Sequence, residues 1–285
     1  MNAKRTVFIT GITGNQGGAV AQQLLEKGYR IIGLTRNTKS DKAKTLQKHG
    51  ITLIEGDLTT PKTYQGAIAQ TDTVFFVQAL KDKPTEVKEA IQFLNTLKDT
   101  GIEHLVYSSV LGANLNTGIP HFESKNEIEQ HIKAAGIEYT ILRPASFYEN
   151  YLYPQVYNGI KKGKFVSPLN KHCKQQMIGV AHIGSIGSQV IDNHQKYQNK
   201  TIEIATDEYD MLALAEVFSE VLQKPVKYQK LPGLFTQLFM GSQLYKMFKY
   251  MNQHEFCEVK NIQGVREEFN IQSNFHDWVV KYFKD

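Results

Sequence analysis

Short, nearly continuous apolar runs recur through the first half of the chain, at residues 6–10, 31–35, 52–54, 73–77, 104–107 and 139–142. Runs of this length, rich in Val, Ile and Phe, predict strands buried on both faces. Between them the period changes. Val20, Leu24 and Leu25 make a helical stripe that Gly28 stops, and residues 41–48 predict a polar helix ended by Gly50. Val87, Ile91, Leu94 and Leu97 share one face over 85–100, ahead of Gly101, and residues 122–135 predict a helix ahead of Gly136. Alternating strands and helices predict an α/β fold, a doubly wound parallel sheet with right-handed crossovers. Such sheets bind ligands beyond the carboxyl ends of their strands. That rule points to residues 11–18, Arg36, Asp57, Gln78, Ser108 with Ser109, and the stretch from Phe147 to Asn150.

Beyond residue 150 the rhythm breaks. Residues 165–166 and 177–180 predict short strands, residues 183–193 and 211–222 predict helices, and residues 235–250 are rich in Leu, Phe, Met and Tyr. The expected organisation is a doubly wound domain over 1–150 and a smaller mixed region over 151–285 that packs on it and roofs its cleft. No repeat and no linker separates the two, so the boundary is soft.

Composition narrows the class. Of 285 residues, 41% are hydrophobic and 21% charged, which excludes disordered and fibrous chains. The net charge is +5, and the lysine clusters at 161–164 and 171–174 are short, so they read as solvated faces and no nucleic-acid binding is expected. Cys173 and Cys257 form no CxxC and no metal spacing, so no metal is expected. Nothing near the first strand has the make-up of a signal peptide, and no run of ~18 apolar residues offers a membrane span. The expectation is a cytoplasmic protein with no membrane contact.

The chemistry starts at Gly11-Ile-Thr-Gly14-Asn-Gln-Gly17-Gly18. This GxxGxxG follows the first strand and opens the first helix. A tight strand-to-helix turn needs glycine, a diphosphate approaching the backbone leaves no room for a Cβ, and the helix N-terminus offers free N–H groups to phosphate. The second strand ends Thr35-Arg36-Asn37. An acid at that end would bind a ribose 2′-hydroxyl, whereas Arg36 suits a 2′-phosphate, so NADP(H) is the expected cofactor. Asp57, closing the third strand, is placed either to accept a hydrogen bond from the adenine or to cap the following turn. His121 and Lys125 stand four apart on one helical face, with Lys125 a donor to ribose and His121 a proton donor near neutral pH or merely a histidine near a helix start.

Residues 10–18, the Thr35-Arg36-Asn37 end, His121-Phe-Glu-Ser-Lys125 and Pro144-Ala-Ser-Phe-Tyr-Glu-Asn150 together resemble the NmrA-like family, an atypical branch of the short-chain dehydrogenase/reductase superfamily. The stretch from Ser146 to Tyr151 also resembles the NADPH-dependent quinone oxidoreductases of that branch. The resemblance implies a Rossmann domain holding NADP(H), with Gly11, Thr13, Gly14, Asn15, Gln16 and Gly17 at the pyrophosphate, Arg36 at the 2′-phosphate and Asn37 among the cofactor-binding residues. It implies that Lys88 and Lys125 reach the cofactor, and that Phe147, Glu149 and Asn150 line the nicotinamide side. The superfamily's YxxxK falls on His121 and Lys125, so the phenol that protonates a carbonyl is missing. Two functions stay open: a sensor of the NADPH/NADP balance that acts through a partner protein, or a reductase of quinones and similar small-molecule electrophiles.

Overall fold

The structure is a computed structural model and describes residues 5–98, 100–254 and 256–284. The lead-in Met1 to Lys4 lies outside the described residues. The chain divides into two compact units. The first comprises residues 1–114, 120–143 and 180–202, and the second comprises 115–119, 144–179 and 203–285.

The first unit is built on strands β1 (Thr6–Ile9), β2 (Arg30–Thr35), β3 (Thr52–Glu55), β4 (Thr73–Phe76), β5 (His104–Ser108) and β6 (Tyr139–Pro144). Its helices are α1 (Asn15–Glu26), α2 (Asp41–Lys48), α3 (Pro61–Ile68), α4 (Lys83–Leu97) and α5 (Pro120–Lys133). The sheet runs β3-β2-β1-β4-β5-β6, with a seventh strand, lying at Lys200–Ile204, beyond β6. Neighbours among the first six pair in parallel. Every residue of β1, β4 and β5 is buried, as the continuous apolar runs require. On one face an aromatic chain fills the core: Phe93 lies 4.6 Å from Phe76, which lies 5.1 Å from Tyr107. Ser40 caps α2 and Asp82 caps α4, each accepting a backbone N–H three residues on.

The division is interleaved, unlike a single cut near residue 150. Residues 180–202 return to the first unit because a later helix packs on α1 at backbone distance. A Cβ on Gly184 would stand 2.7 Å from the Ala19 carbonyl oxygen, so only glycine allows this approach.

The second unit holds α6 (Pro154–Lys161), β7 (Ser146–Phe147), β8 (Lys164–Ser167), β9 (Gln175–Ile178), β11 (Asp207–Tyr209) and β12 (Lys227–Lys230), with β10 the Lys200–Ile204 strand named above. The helix on α1 is α7 (Val180–Asp192), followed by α8 (His194–Tyr197); the second unit adds α9 (Met211–Leu222), α10 (Gly233–Gln253), α11 (Ile262–Glu268) and α12 (Phe275–Phe283). Its two small sheets run β11-β9-β7 and β12-β8. Tyr148, Phe218, Phe275 and Phe283 form its aromatic core. The Tyr148 hydroxyl donates to Asp207, whose carboxyl burial pushes above the usual range.

His104 on β5 is fully buried, with Nε2 2.8 Å from the Thr140 hydroxyl. Burial pushes its pKa down to about 4. His121 is likewise pushed down to about 4, again mainly by burial. Both regain an ordinary pKa near 6.5 on unfolding. Between pH 6.5 and 4 the unfolded chain therefore binds protons that the folded chain refuses, so stability falls as pH falls through that window. The full cost is on the order of 3 kcal/mol per histidine. We expect the melting temperature to drop from pH 6.5 to pH 5, and His104→Gln to flatten part of that slope. A melting temperature constant over this range would contradict the assignment.

Candidate functional site

At the end of β1 the Thr10 hydroxyl donates to the Val77 carbonyl and accepts from the Val77 N–H, both at 2.8 Å, tying the exit of β1 to that of β4. The chain then turns through Gly11, whose φ of +58° lies in the left-handed region. The Gly14 N–H donates to the Gly11 carbonyl at 2.8 Å. Gly17 is buried against this turn, and a Cβ on it would come within 2.5 Å of the Gly11 oxygen. Gly14 is the N-cap of α1, extended and with no side-chain cap. The first N–H groups of α1 thus open at the turn with the positive end of the helix dipole behind them, a cradle for phosphate. Gly11, Gly14 and Asn15 are exposed there and Thr13 is half-buried. Gln16 is anchored, its Oε1 accepting from the Ser108 hydroxyl at 2.6 Å.

Arg36 is exposed at the carboxyl end of β2. Asn37 shapes the following turn, its Oδ1 accepting the Lys39 N–H at 2.8 Å. Asp57 serves as a turn cap: its Oδ1 accepts from the N–H and hydroxyl of Thr59, which hold its carboxyl below the usual range with help from the Lys81 and Arg36 charges.

The sequence reading missed the residue at the centre of this unit. Glu86 on α4 is fully buried. Lys125 Nζ lies 2.6 Å from its Oε1, and the Ser124 hydroxyl donates to its Oε2 at 2.5 Å. The Lys125 ammonium also stands 5.5 Å from the centre of the buried Tyr107 ring. Gln78 Nε2 donates to the Glu86 carbonyl at 3.0 Å. Three buried polar atoms around this group have no hydrogen-bond partner among the described residues: Gln78 Oε1, His121 Nδ1 and the Tyr107 hydroxyl. The available signal was a carboxylate on the apolar stripe of α4, in line with the buried Ala90 and Phe93. A second buried pair was missed as well. Arg143 Nε and a terminal amine donate to Glu129 at 3.0 and 2.6 Å, and Ser109 donates to the same carboxylate.

The sequence left His121 as either a proton donor near neutral pH or a histidine near a helix start. Burial holds its pKa down to about 4, so at neutral pH it lacks the acidic proton of an imidazolium and keeps only the N–H of a neutral imidazole, a very weak acid. Lys88, expected to reach the cofactor, is not brought beside Lys125. It is exposed on α4 and lines a shallow groove with Lys83 and Glu127, whereas Glu86 faces inward to Lys125.

The remaining candidates lie in the second unit. Phe147 is half-buried on β7. Glu149 Oε1 accepts from the Trp278 indole N–H at 3.2 Å. Asn150 is exposed and donates to the Ser146 hydroxyl at 3.2 Å.

The model of the NmrA-like family matches residues 3–275. The chain belongs to this family. Among its relatives it is 27% identical to an NAD(P)H azoreductase of Xenophilus azovorans over 226 residues, covering 78% of this chain and 76% of that protein. It superposes with a TM-score of 0.83 on an NADPH-dependent quinone oxidoreductase of Escherichia coli complexed with NADPH, at 20% identity over 98% of this chain and all of that one. It also superposes on NmrA, a negative transcriptional regulator in complex with NAD, with a TM-score of 0.80 at 16% identity over 98% of this chain and 95% of that one. At these identities the two structures establish a shared Rossmann-type fold. The residue roles belong to the proposal that follows.

Proposed function

We propose that this member of the NmrA-like family binds NADP(H) and reduces a small electrophile of quinone or azo type with it. The observation that carries the reading is the uncapped N-terminus of α1 under a turn where glycine alone fits. Gly11, Thr13, Gly14, Asn15, Gln16 and Gly17 would hold the pyrophosphate, and Arg36 with Asn37 the 2′-phosphate. Lys125 would donate to the ribose with an ammonium that Glu86 already orients. The cofactor, when bound, supplies a hydride.

The chain's own side chains supply orientation and leave out a charged acid. The phenol position is held by His121, which is neutral at pH 7. An acceptor whose reduced anion is stabilised internally suits such a site, because water protonates it later. The likeness to an azoreductase along most of the chain supports that acceptor class. We therefore expect His121→Ala to lower turnover less than tenfold, where a true general acid contributes about 100- to 10,000-fold. A loss above a hundredfold, with disappearance of a pH limb, would return His121 to acid catalysis.

The likeness to a regulator carries a second reading, a sensor that binds NADP(H) and signals to a partner protein. Titration calorimetry with NADP and NADPH, alongside NADPH oxidation across a panel of quinones and azo dyes, separates the two. Acceptor-dependent oxidation supports the reductase. Tight binding without turnover of any acceptor gives the sensor, and absence of binding overturns both.

A further inference from the structure

The second unit carries a surface that the proposed reaction does not use. The first half of α10 stands out of the fold. Leu234, Leu238 and Phe239 are 76%, 72% and 73% exposed, and Phe235 and Met240 are exposed beside them. The Phe235 and Phe239 rings stack on each other at 6.1 Å, one helical turn apart. Only Thr236 is buried in this half. Gly241, with φ +81° and open space where a Cβ would sit, breaks the helix behind it, so the apolar half is set off from the half that buries Met251. Large apolar side chains massed on one protruding helix mark a contact surface.

The stretch that carries α10 is basic. From Val221 to His254 the chain has five lysines, Lys224, Lys227, Lys230, Lys246 and Lys249, all exposed, and the structure places no acidic side chain from this stretch beside them. Tertiary structure adds the two lysine clusters that read in sequence as plain solvated faces. Strand pairing sets Lys164 beside Lys227. The Lys224 ammonium donates to the Lys161 carbonyl at 2.5 Å. Lys171, Lys174 and Lys230 line one groove, and Lys230 with Lys249 lines the next, at the foot of α10. Carboxylates lie among these cations too: Glu208 is 3.0 Å from Lys174, Asp210 is 3.5 Å from His172, and exposed Glu220 precedes Lys224 by four residues.

We infer that this face docks on an anionic lipid bilayer, with Leu234, Phe235, Leu238, Phe239 and Met240 entering the interface and the lysines meeting lipid headgroups. An apolar helix face flanked by lysines is the physical signature of interfacial binding. A second copy of the chain is a poor occupant. A two-fold contact would lay this lysine-rich face on itself, like charge against like charge. Nucleic acid would match the lysines and leave the Leu and Phe side chains without a role. The contact is a surface one: among the described residues no helix is long and apolar enough to cross a membrane. It departs from the sequence-based expectation of no membrane contact.

The test is flotation of the full chain with vesicles of phosphatidylcholine alone or mixed with phosphatidylglycerol, at low and high salt. We expect the protein to float with the anionic vesicles at least roughly tenfold more than with the neutral ones, and less at high salt. Leu238→Glu with Phe239→Glu should remove binding. Lys227→Glu with Lys246→Glu should remove the preference for anionic lipid. All four side chains are exposed, so circular dichroism and melting temperature should stay unchanged. No flotation with anionic vesicles, or flotation that survives both variants, overturns the inference. Lipid-free self-association that Leu238→Glu abolishes does so too, in favour of a second copy.

Discussion

Replacing Lys125 by Met will lower the stability of the fold by about 3–5 kcal/mol, because it leaves the buried Glu86 carboxylate without its counter-charge. For a chain of this length that is a fall in melting temperature on the order of 10 °C. The Ser124 hydroxyl remains on Glu86 but supplies a single neutral hydrogen bond, less than the desolvated charge needs. Glu86→Gln alone should also destabilise, since it strands the lysine under Tyr107. The double variant Lys125→Met with Glu86→Leu should recover more than half of the loss, because an apolar pair of similar volume replaces an ion pair. Thermal melts of the three variants give the coupling. If Lys125→Met keeps the wild-type melting temperature, then Lys125 serves only a ligand, and the loss should appear solely in NADPH affinity.

The second large effect is on cofactor choice. Arg36→Asp puts a carboxylate where the 2′-phosphate would lie, in a place already under the negative charge of Asp57. On the proposed reading it would remove a charge-assisted contact to the 2′-phosphate and add repulsion. The expected loss is about 2–4 kcal/mol, a roughly 30- to 1,000-fold weaker NADP affinity, with NAD affinity changed only a few-fold. Titration calorimetry of both proteins with both nucleotides measures it. Equal affinity of the wild type for NADP and NAD would remove Arg36 from the site.

Much of the first unit was legible because its signals are local. Strands β1, β4 and β5 are buried on both faces, so their sequences are unbroken apolar runs. Helix α2 was legible to the residue, since Ser40 caps it and Gly50 follows it. Helix α3 was not, because only Tyr64 and Ile68 of its eight residues are buried and the rest carry no period. Strand β10 was not, because it is only partly buried and acquires its identity by adding to the sheet beside β6, far away in sequence.

The candidate site divides along the same line. Sequence by itself determined the turn from Gly11 to Gly18, Arg36 at a strand end, and His121 four residues before Lys125, since each depends on a backbone conformation or a residue type at a short spacing. Tertiary structure alone decided that Glu86 meets Lys125 from another helix, that burial holds the His121 pKa down, that residues 180–202 belong with α1, and that Lys230 and Lys249 line one groove at the foot of α10. The reason is physical. Turn geometry and periodicity are properties of a few consecutive residues, whereas desolvation and charge pairing depend on which distant segments exclude water from one another.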